Sequence, residues 1–511
     1  MTCINPYGPK GPKPNINNLT YHITNEPKRR KKKEEEEEEE EQQHMELGLK
    51  IYVSLVLEKR KAKKAGIKGP PPSILYGNIS EMKRIELKEK APMEEGGHVS
   101  HDYYPMLFPW FEQWRKDYGP VFMYSLRNMP MLYVSDPDLV KEIGLCTSLD
   151  LGKPSHLQRE QWPLFGHGIF RSNGSDWAKQ RKIIAPSFFM DKVKGMVDLM
   201  VDSTLPLLKS WESIIERGGG IGDVRVDQDL RSFSADVISK ACFGSSYRKG
   251  KEIFLRLRAL QDFLSKPGLS IGVSILRYLP TKKNKEIWRL EREVELSIMK
   301  MIVERKEAME KEKDLLQALV ESAERNYGVG KAANRFLVDN CKNIYFAGYE
   351  TTTVLATWAL MLLALNPEWQ ARAQTLRLYP PATFVSREAL QEMKFGDIHI
   401  PKDTNIWSPI PKLHQDTSIW GPDAHEFNPA RFANGIVGAC KLPHVYMPFG
   451  LGPRTCLGQN FAMIELKALL SLVLSKFSFS LSPKYCHSPT YRMVVEPEHG
   501  LNLIMKKASD E

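Results

Sequence analysis

The 511-residue sequence contains only seven cysteines, an odd number with no Cys-x-x-Cys pair among them. That spacing argues against a disulfide framework and against a zinc site, and it fits a domain facing a reducing cytosol. Long apolar runs are missing too. Leu47 to Leu57 is interrupted by Lys50 and as a helix would reach about 16 Å, against roughly 30 Å for a hydrocarbon core. Thr351 to Leu365 is apolar but only fifteen residues long, which predicts a buried helix rather than a membrane span. The net charge is +10, yet no basic stripe with interleaved aromatics is present, so nucleic acid is not the expected partner.

What is there suits one large domain. Hydrophobic residues make up 42% of the chain, enough for a sizeable core, and helical patterns outnumber strand patterns, so the expected class is mainly α with small β-sheets (α+β). Val121 to Leu126 and Met131 to Val134, joined through Arg127 to Pro130, read as a hairpin, and Phe395 to Ile400 with Asn405 to Ile410 read as another around Pro401 to Asp403. Asn284 to Ser322 is a long charge-laced helical pattern with one solvated face.

The front of the chain differs from the rest. Residues 1–44 lack apolar periodicity and carry Arg29 to Lys33 followed by eight glutamates, Glu34 to Glu41; such blocks stay solvated, so a disordered low-complexity extension is expected. Residues 45–68 hold the short apolar stub and a basic stop, Lys59-Arg60-Lys61 and Lys63-Lys64, before the proline-rich hinge Gly69 to Ser73. Order and composition predict a shortened membrane anchor, then a single catalytic domain over 69–511.

The strongest chemical signal lies near the C-terminus. Phe449-Gly450-Leu451-Gly452-Pro453-Arg454-Thr455-Cys456-Leu457-Gly458 places one cysteine in a glycine-punctuated loop just ahead of a helical pattern from Gln459 to Phe477. The glycines let a backbone turn tightly and approach a flat macrocycle, Phe449 can shield a sulfur, and Arg454 brings a cation suited to a carboxylate. The positive end of the following helix is expected to hold down the Cys456 pKa. The run resembles the Phe-x-x-Gly-x-Arg-x-Cys-x-Gly signature of the cytochrome P-450 family letter for letter, which implies that Cys456 is the thiolate ligand of the iron in haem b (iron protoporphyrin IX) and that Phe449, Arg454 and Gly458 belong to the cofactor-binding loop.

Other motifs follow in family order. Ala347-Gly348-Tyr349-Glu350-Thr351-Thr352, inside a helical stretch from about Asn334 to Leu365, looks like the oxygen-binding groove, with Ala347 and Gly348 leaving room for dioxygen and Glu350 and Thr351 relaying protons. Trp177 and Arg181, one helical turn apart, resemble the family's propionate donors, and Arg387 occupies the place of a further one. Asp236 to Gly244 resembles a helix end found in many members. Phe427 to Phe432 matches the Pro-x-Arg-Phe element, whose Arg431 joins a Glu and an Arg in a structural ionic network in relatives. Here the expected Glu-x-x-Arg reads Gln374-Thr375-Leu376-Arg377. Only 24 residues separate Glu350 from Gln374, where the family has several dozen more, which reads as an internal deletion before Gln374. Without the glutamate, Arg377 and Arg431 are expected to share no carboxylate, at a cost of roughly 3–5 kcal/mol.

The resemblance implies a haem-thiolate monooxygenase that takes electrons from NADPH through a flavin-containing NADPH cytochrome P-450 reductase, uses O2, and hydroxylates or epoxidises a small hydrophobic substrate. It implies a place on the endoplasmic reticulum membrane surface, with the catalytic domain cytosolic. Substrate walls are expected from Phe346, Tyr349, Thr383, Phe384, Val385 and Leu501. Phe122 to Ser125, Leu132 to Pro137, Arg181 to Phe188 and Met190 to Lys194 look like the plant gibberellin-oxidising 714 group within the larger 72 clan, which implies a gibberellin or related diterpenoid acid. Two alternatives stay open: triterpenoid or steroid oxidation by the same group, and a non-catalytic truncated product that fails to bind haem.

Overall fold

The computed structural model describes residues 66–73, 75–89, 99–244, 247–265, 278–307, 314–366 and 372–508. All of them fall in one compact unit, Lys61–Glu511. The extension 1–44 and the apolar stub Leu47 to Leu57 lie outside the described residues.

Helices dominate and position the site. The ones that matter are α1 (Pro109–Tyr118), α2 (Pro137–Leu145), α3 (Gly174–Ile184), α4 (Val197–Arg217), α5 (Val226–Phe243), α6 (Tyr247–Ser265), α7 (Lys282–Glu307), α8 (Leu315–Tyr327), α9 (Lys331–Leu365), α10 (Arg372–Leu378) and α11 (Gln459–Lys476). α9 is 35 residues long, about 50 Å at 1.5 Å per residue. It is apolar on every side because it is packed on every side, so a helix long and apolar enough to cross a membrane is here the core of the domain. Its buried threonines satisfy themselves within the helix: Thr353 Oγ1 donates to Tyr349 O at 2.8 Å and Thr357 Oγ1 to Thr353 O at 2.9 Å. Where α5 crosses it, Gly348 removes an obstacle, since a Cβ there would stand 2.5 Å from Ile238 Cδ1.

The expected charge-laced helix is two helices. α7 buries Ile287, Leu290, Val294, Ile298 and Ile302 on one stripe while Arg289 pairs with Glu286 and Glu293 on the exposed face. α8 then starts afresh at an Asp314 cap that accepts from the Gln317 N–H at 2.9 Å. α5 ends as expected on a left-handed residue, Gly244 at φ 57°.

The strands are β1 (Val121–Leu126), β2 (Met129–Val134), β3 (Leu151–Gly152), β4 (Gly222–Arg225), β5 (Phe384–Ala389), β6 (Met393–Phe395), β7 (Ile398–Ile400), β8 (Asn405–Pro409), β9 (Phe477–Leu481), β10 (Pro489–Tyr491), β11 (Val495–Pro497) and β12 (Asn502–Lys507). They form a five-stranded sheet ordered β1-β2-β8-β5-β3, a three-stranded sheet β4-β12-β9, and two hairpins. The first expected hairpin is present with a tighter turn, Leu126 pairing with Met129 and Arg127 at φ 57°. The second is corrected. β7 pairs back onto β6 through Gly396 at φ 53°, while β8 pairs with β2 and β5 in the large sheet. Gly396 supplies the left-handed turn that closes the β6–β7 hairpin at once, which leaves β8 free for the core sheet.

Candidate functional site

The Cys456 loop is held by its own backbone and by one helix end. The Cys456 N–H donates to Phe449 O at 2.8 Å, and Thr455 Oγ1 donates to Gly452 O at 2.7 Å. Gly452 has φ 71°, and a Cβ on it would fall 2.1 Å from Gly144 O at the end of α2. At Gly452 the close approach that demands glycine is to the Gly144 carbonyl. Within this tightly packed loop Cys456 keeps an exposed side chain.

The expected depression of the Cys456 pKa is not what the loop produces. The thiol reaches the surface, yet the surrounding protein mass still pushes its pKa up, outweighing the Gly458 N–H and the Arg181 charge that pull it down. α11 starts only at Gln459 with Gly458 as its cap, so desolvation wins over the helix end. A coordinated metal reverses that balance, because its own charge deprotonates a ligating thiol.

Five cations gather near this loop from separate segments: Lys153 after β3, Arg171, Arg181 on α3, Arg387 on β5 and Arg454 beside Cys456. Arg454 lies over the Trp177 ring at 4.2 Å and donates to Ser172 O at 3.2 Å and Asn173 Oδ1 at 3.3 Å. Arg181 lies 5.7 Å from the same ring and donates to Thr455 O at 3.0 Å, tying α3 to the cysteine loop. Arg387 is buried and bonds only its neighbour's carbonyl, Ser386 O at 3.0 Å. A small cleft lined by Trp177, Arg387 and Arg454 together with Cys146 and Leu151 joins the expected donors. Burial lowers the pKa of Arg387 and Arg454 to about 10, and neighbouring arginines further disfavour the charges of Arg454 and Lys153. Among the described residues none of the five has a carboxylate in ion-pair contact. Buried like charges without counter-ions are costly, and a dianionic cofactor carrying two propionates is what such a set fits, with Cys456 as the exposed sulfur ligand.

α9 supplies a second opening. From Phe336 to Ala364 every residue is buried except Ala347, Gly348 and Thr351. Thr351 Oγ1 donates to Ala347 O at 2.7 Å, leaving its lone pairs towards the gap. Gly348 makes room for Ile238, and Ala347 beside it is exposed. Glu350 is not beside Thr351 in chemistry. It is 0% exposed and is bonded by Arg258, with Arg231 at 3.6 Å, while both arginines also hold Glu496. Burial raises the Glu350 pKa despite the two guanidiniums.

The expected walls divide. Phe346 meets Phe165 edge-on at 5.0 Å next to the α9 opening. Thr383 is buried near Tyr491. Val385 is half-buried and packs on the sheet core. Tyr349 instead turns its ring to Phe254 of α6, at 5.2 Å. Phe384 is enclosed by Phe108, Phe111 and Trp407, and Leu501 is sealed in the core with its N–H on Asp227 Oδ1 at 3.1 Å. Aromatic and apolar neighbours from other segments pack against all three, and Phe384 keeps part of its surface open.

The ionic network around Arg377 is likewise rearranged. The Gln374 side chain lies outside the described residues. Arg377 is fully buried and donates to His414 O, Ala424 O and Glu426 O, while Arg431 takes Asp423 as its carboxylate. Burial and the Arg431 charge bring the Arg377 pKa down to about 9, against the attraction of Asp423. The three carbonyl acceptors help to solvate the buried guanidinium.

Sequence reasoning missed Lys153, Arg171, Asp423 and the pair Arg258 and Glu496. The one local signal for Arg171 is a lone cation after the apolar Ile169-Phe170.

Comparison with known proteins agrees with this geometry. The sequence matches the family Cytochrome P450 over residues 99–375 and 373–505. It is 47% identical to Cytochrome P450 714C2 of Oryza sativa subsp. japonica over 496 residues, covering 89% of this chain and 95% of that one. It is 49% identical to Cytochrome P450 714B3 of Zea mays, covering 88% and 91%, and 45% identical to Cytochrome P450 714A2 of Arabidopsis thaliana, covering 89% and 95%. With a thiol exposed in a glycine loop, a cluster of carboxylate-seeking cations and this degree of likeness, the chain belongs to the cytochrome P450 monooxygenases, with the plant 714 members.

Proposed function

We propose that this monooxygenase hydroxylates or epoxidises a gibberellin or related diterpenoid at the endoplasmic reticulum membrane, receiving electrons from NADPH cytochrome P-450 reductase. The observation that carries the reading is the pairing of an exposed Cys456 thiol with buried and half-buried cations that, among the described residues, have no carboxylate in ion-pair contact. When bound, haem b supplies the redox iron that activates dioxygen. Cys456 contributes the sulfur ligand, and Trp177, Arg181, Arg387 and Arg454 take the two propionates. Thr351 Oγ1 holds a proton at the α9 opening and can pass it on from there. Phe346, Thr383 and Val385 present apolar surface to a substrate and exclude water. The motifs shared with the plant gibberellin-oxidising group support the substrate class, and the basic stop with its proline-rich hinge supports the membrane assignment.

A reduced carbon-monoxide difference spectrum tests the reading. A strongly red-shifted Soret band that disappears in Cys456→Ser is the expected result, and a spectrum unchanged by that substitution sinks it. Incubation with reductase, NADPH and gibberellins or triterpenoid acids, with products read by mass, separates the diterpenoid assignment from its competitor.

A second reading, a truncated product that fails to hold haem, is favoured by one observation. The aligned span of 496 residues is longer than the 89% share of the 511-residue chain that enters it, and the family match breaks into two pieces that meet at 373–375. Both support a segment lost before Gln374. Absence of haem from the wild-type chain, with recovery once a Glu-containing segment is restored there, is the outcome this reading requires.

A further inference from the structure

Two turns along α9 from Thr351 stands Trp358, on the same face of the helix, since seven residues give about 10 Å of rise and return almost to the starting direction. Its indole is fully buried and fixed by the Nε1–H, which donates to Val495 O at 2.8 Å. It stacks on the ring of Tyr379, with centroids 4.2 Å apart and planes 16° from parallel. Tyr103 stacks on Tyr379 in turn, at 5.2 Å and 13°. Aromatic packing accounts for the stack but not for what surrounds the phenol.

The Tyr379 hydroxyl, sealed in the core, has two imidazole partners: His101 Nδ1 at 2.8 Å and His487 Nε2 at 3.3 Å. His487 Nδ1 meets the Tyr485 hydroxyl at 2.8 Å. One arrangement of protons lets both phenols donate in the short bonds, Tyr379 to His101 Nδ1 and Tyr485 to His487 Nδ1, with the His487 Nε2–H donating to the Tyr379 oxygen. Burial brings the His487 pKa down to about 4, which keeps it neutral, and holds Tyr379 protonated. His101, Tyr485 and His487 are half-buried, and Cys486 between the last two is exposed. The chain that starts inside α9 therefore ends at the surface.

One-electron oxidation of a phenol needs ring contact for the electron and a base for the proton, and both are in place. We propose that Trp358, Tyr379 and Tyr485 form a redox relay that carries oxidising equivalents away from the haem site when no substrate consumes them. The inference rests on the monooxygenase chemistry, which supplies the oxidant. One electron leaves Trp358 for that oxidant and is replaced from Tyr379, whose phenolic proton passes to His101 Nδ1 and on to solvent. Tyr485 then reduces the Tyr379 radical. The Tyr485 proton goes to His487 Nδ1 while His487 Nε2 gives one to the Tyr379 oxygen, so the imidazole ends neutral. A soluble thiol restores Tyr485 by giving up one hydrogen atom, and two thiyl radicals so formed couple to a disulfide.

The test mixes the haem-loaded full chain with a peracid, without substrate or reductase, freezes it at once and reads electron paramagnetic resonance. The wild type is expected to show a tyrosyl radical. Tyr379→Phe keeps the stacked ring and removes only the phenol, so loss of that signal and appearance of a tryptophanyl one are expected, with the carbon-monoxide band retained. Tyr485→Phe is expected to keep a tyrosyl signal of changed hyperfine splitting that added thiol quenches severalfold more slowly. During cycling with reductase and NADPH in the absence of substrate, Tyr379→Phe should bleach its haem severalfold faster than the wild type. A tyrosyl signal unchanged in Tyr379→Phe, no protein radical in the wild type, or equal bleaching overturns the relay, and a lowered melting temperature as the only effect of Tyr379→Phe assigns the cluster to packing. Failure of the monooxygenase reading is told apart by a wild type without the red-shifted carbon-monoxide band, which overturns the relay as well by removing its oxidant.

Discussion

Arg258 of α6 reaches across to Glu350 of α9 and, with its other nitrogen, holds both oxygens of Glu496 at 2.8 and 3.0 Å. Arg231 of α5 bonds Glu496 at 2.6 Å from the other side. Two acids and two bases thus join three helices and β11 behind the catalytic face of α9, and the acid expected to relay protons is one member of this network.

Removing members of this network should cost unequal amounts. Arg258→Met leaves the fully buried Glu350 with only the longer Arg231 contact, and breaking a buried pair in this way costs about 3–5 kcal/mol. Glu350→Gln leaves both arginines with Glu496 and an amide oxygen still accepting, so about 1–2 kcal/mol is expected. Urea unfolding of the two variants gives the order, and an equal or reversed loss shows that the network is not what holds these helices.

Thr351 and Glu350 should separate in turnover as they do in space. Thr351→Val removes a hydroxyl from the α9 opening while its neighbours keep their packing, so stability is expected to change by less than about 1 kcal/mol, while product formed per NADPH oxidised falls on the order of 10²-fold. A Thr351→Val enzyme as well coupled as the wild type removes Thr351 from proton delivery.

Glu465 on α11 is fully buried, and neither of its oxygens makes a well-formed hydrogen bond, although Ser234 and Thr352 flank it. Burial raises its pKa well above the ordinary value. The folded chain then keeps this proton to higher pH than the unfolded chain, so its stabilising share is fully present below the unfolded pKa of about 4.3 and is lost as pH rises through the folded value. Glu465→Gln cannot ionise. Its melting temperature relative to the wild type should therefore climb as pH rises above the unfolded value and level off once pH passes the folded one, and a flat difference contradicts a buried neutral acid.

Gly348 and Ile238 should be coupled. A methyl at Gly348 falls on the Ile238 side chain, and overpacking of this kind costs about 1–3 kcal/mol. Gly348→Ala combined with Ile238→Val is expected to lose less than the sum of the two single changes by about 0.5 kcal/mol or more, as measured in a double-mutant cycle. Strict additivity places the two side chains out of contact.

Local features were legible before the fold was known. The Cys456 loop, the helix after it, the Gly244 cap and the β1–β2 hairpin depend on turns and caps set by a few adjacent residues. The β6–β7 hairpin was misread because Gly396 competes with Pro401 to Asp403 as a turn, and only the pairing of β8 with β2 decides between them. Phe384, Tyr349 and Leu501 were assigned to the substrate wall by position alone, and partners far along the chain pack against each one differently. Asp423 gave no sign of its role because it sits outside the motif that carries Arg431.

By itself the sequence determined that a cysteine in a glycine-rich turn meets the start of a helix, that a long apolar helix lies buried, and that this protein shares its chemistry with the haem-thiolate oxygenases. Spacing along the backbone is enough for each of these, since they are short-range. Only the tertiary structure decided that Glu350 is locked among arginines, that Arg431 is paired with Asp423, and that Lys153 and Arg171 converge from separate segments without a counter-charge. Those relationships are electrostatic and steric contacts between residues brought together by packing, and the free energy of a buried charge depends on what surrounds it rather than on what precedes it in the chain.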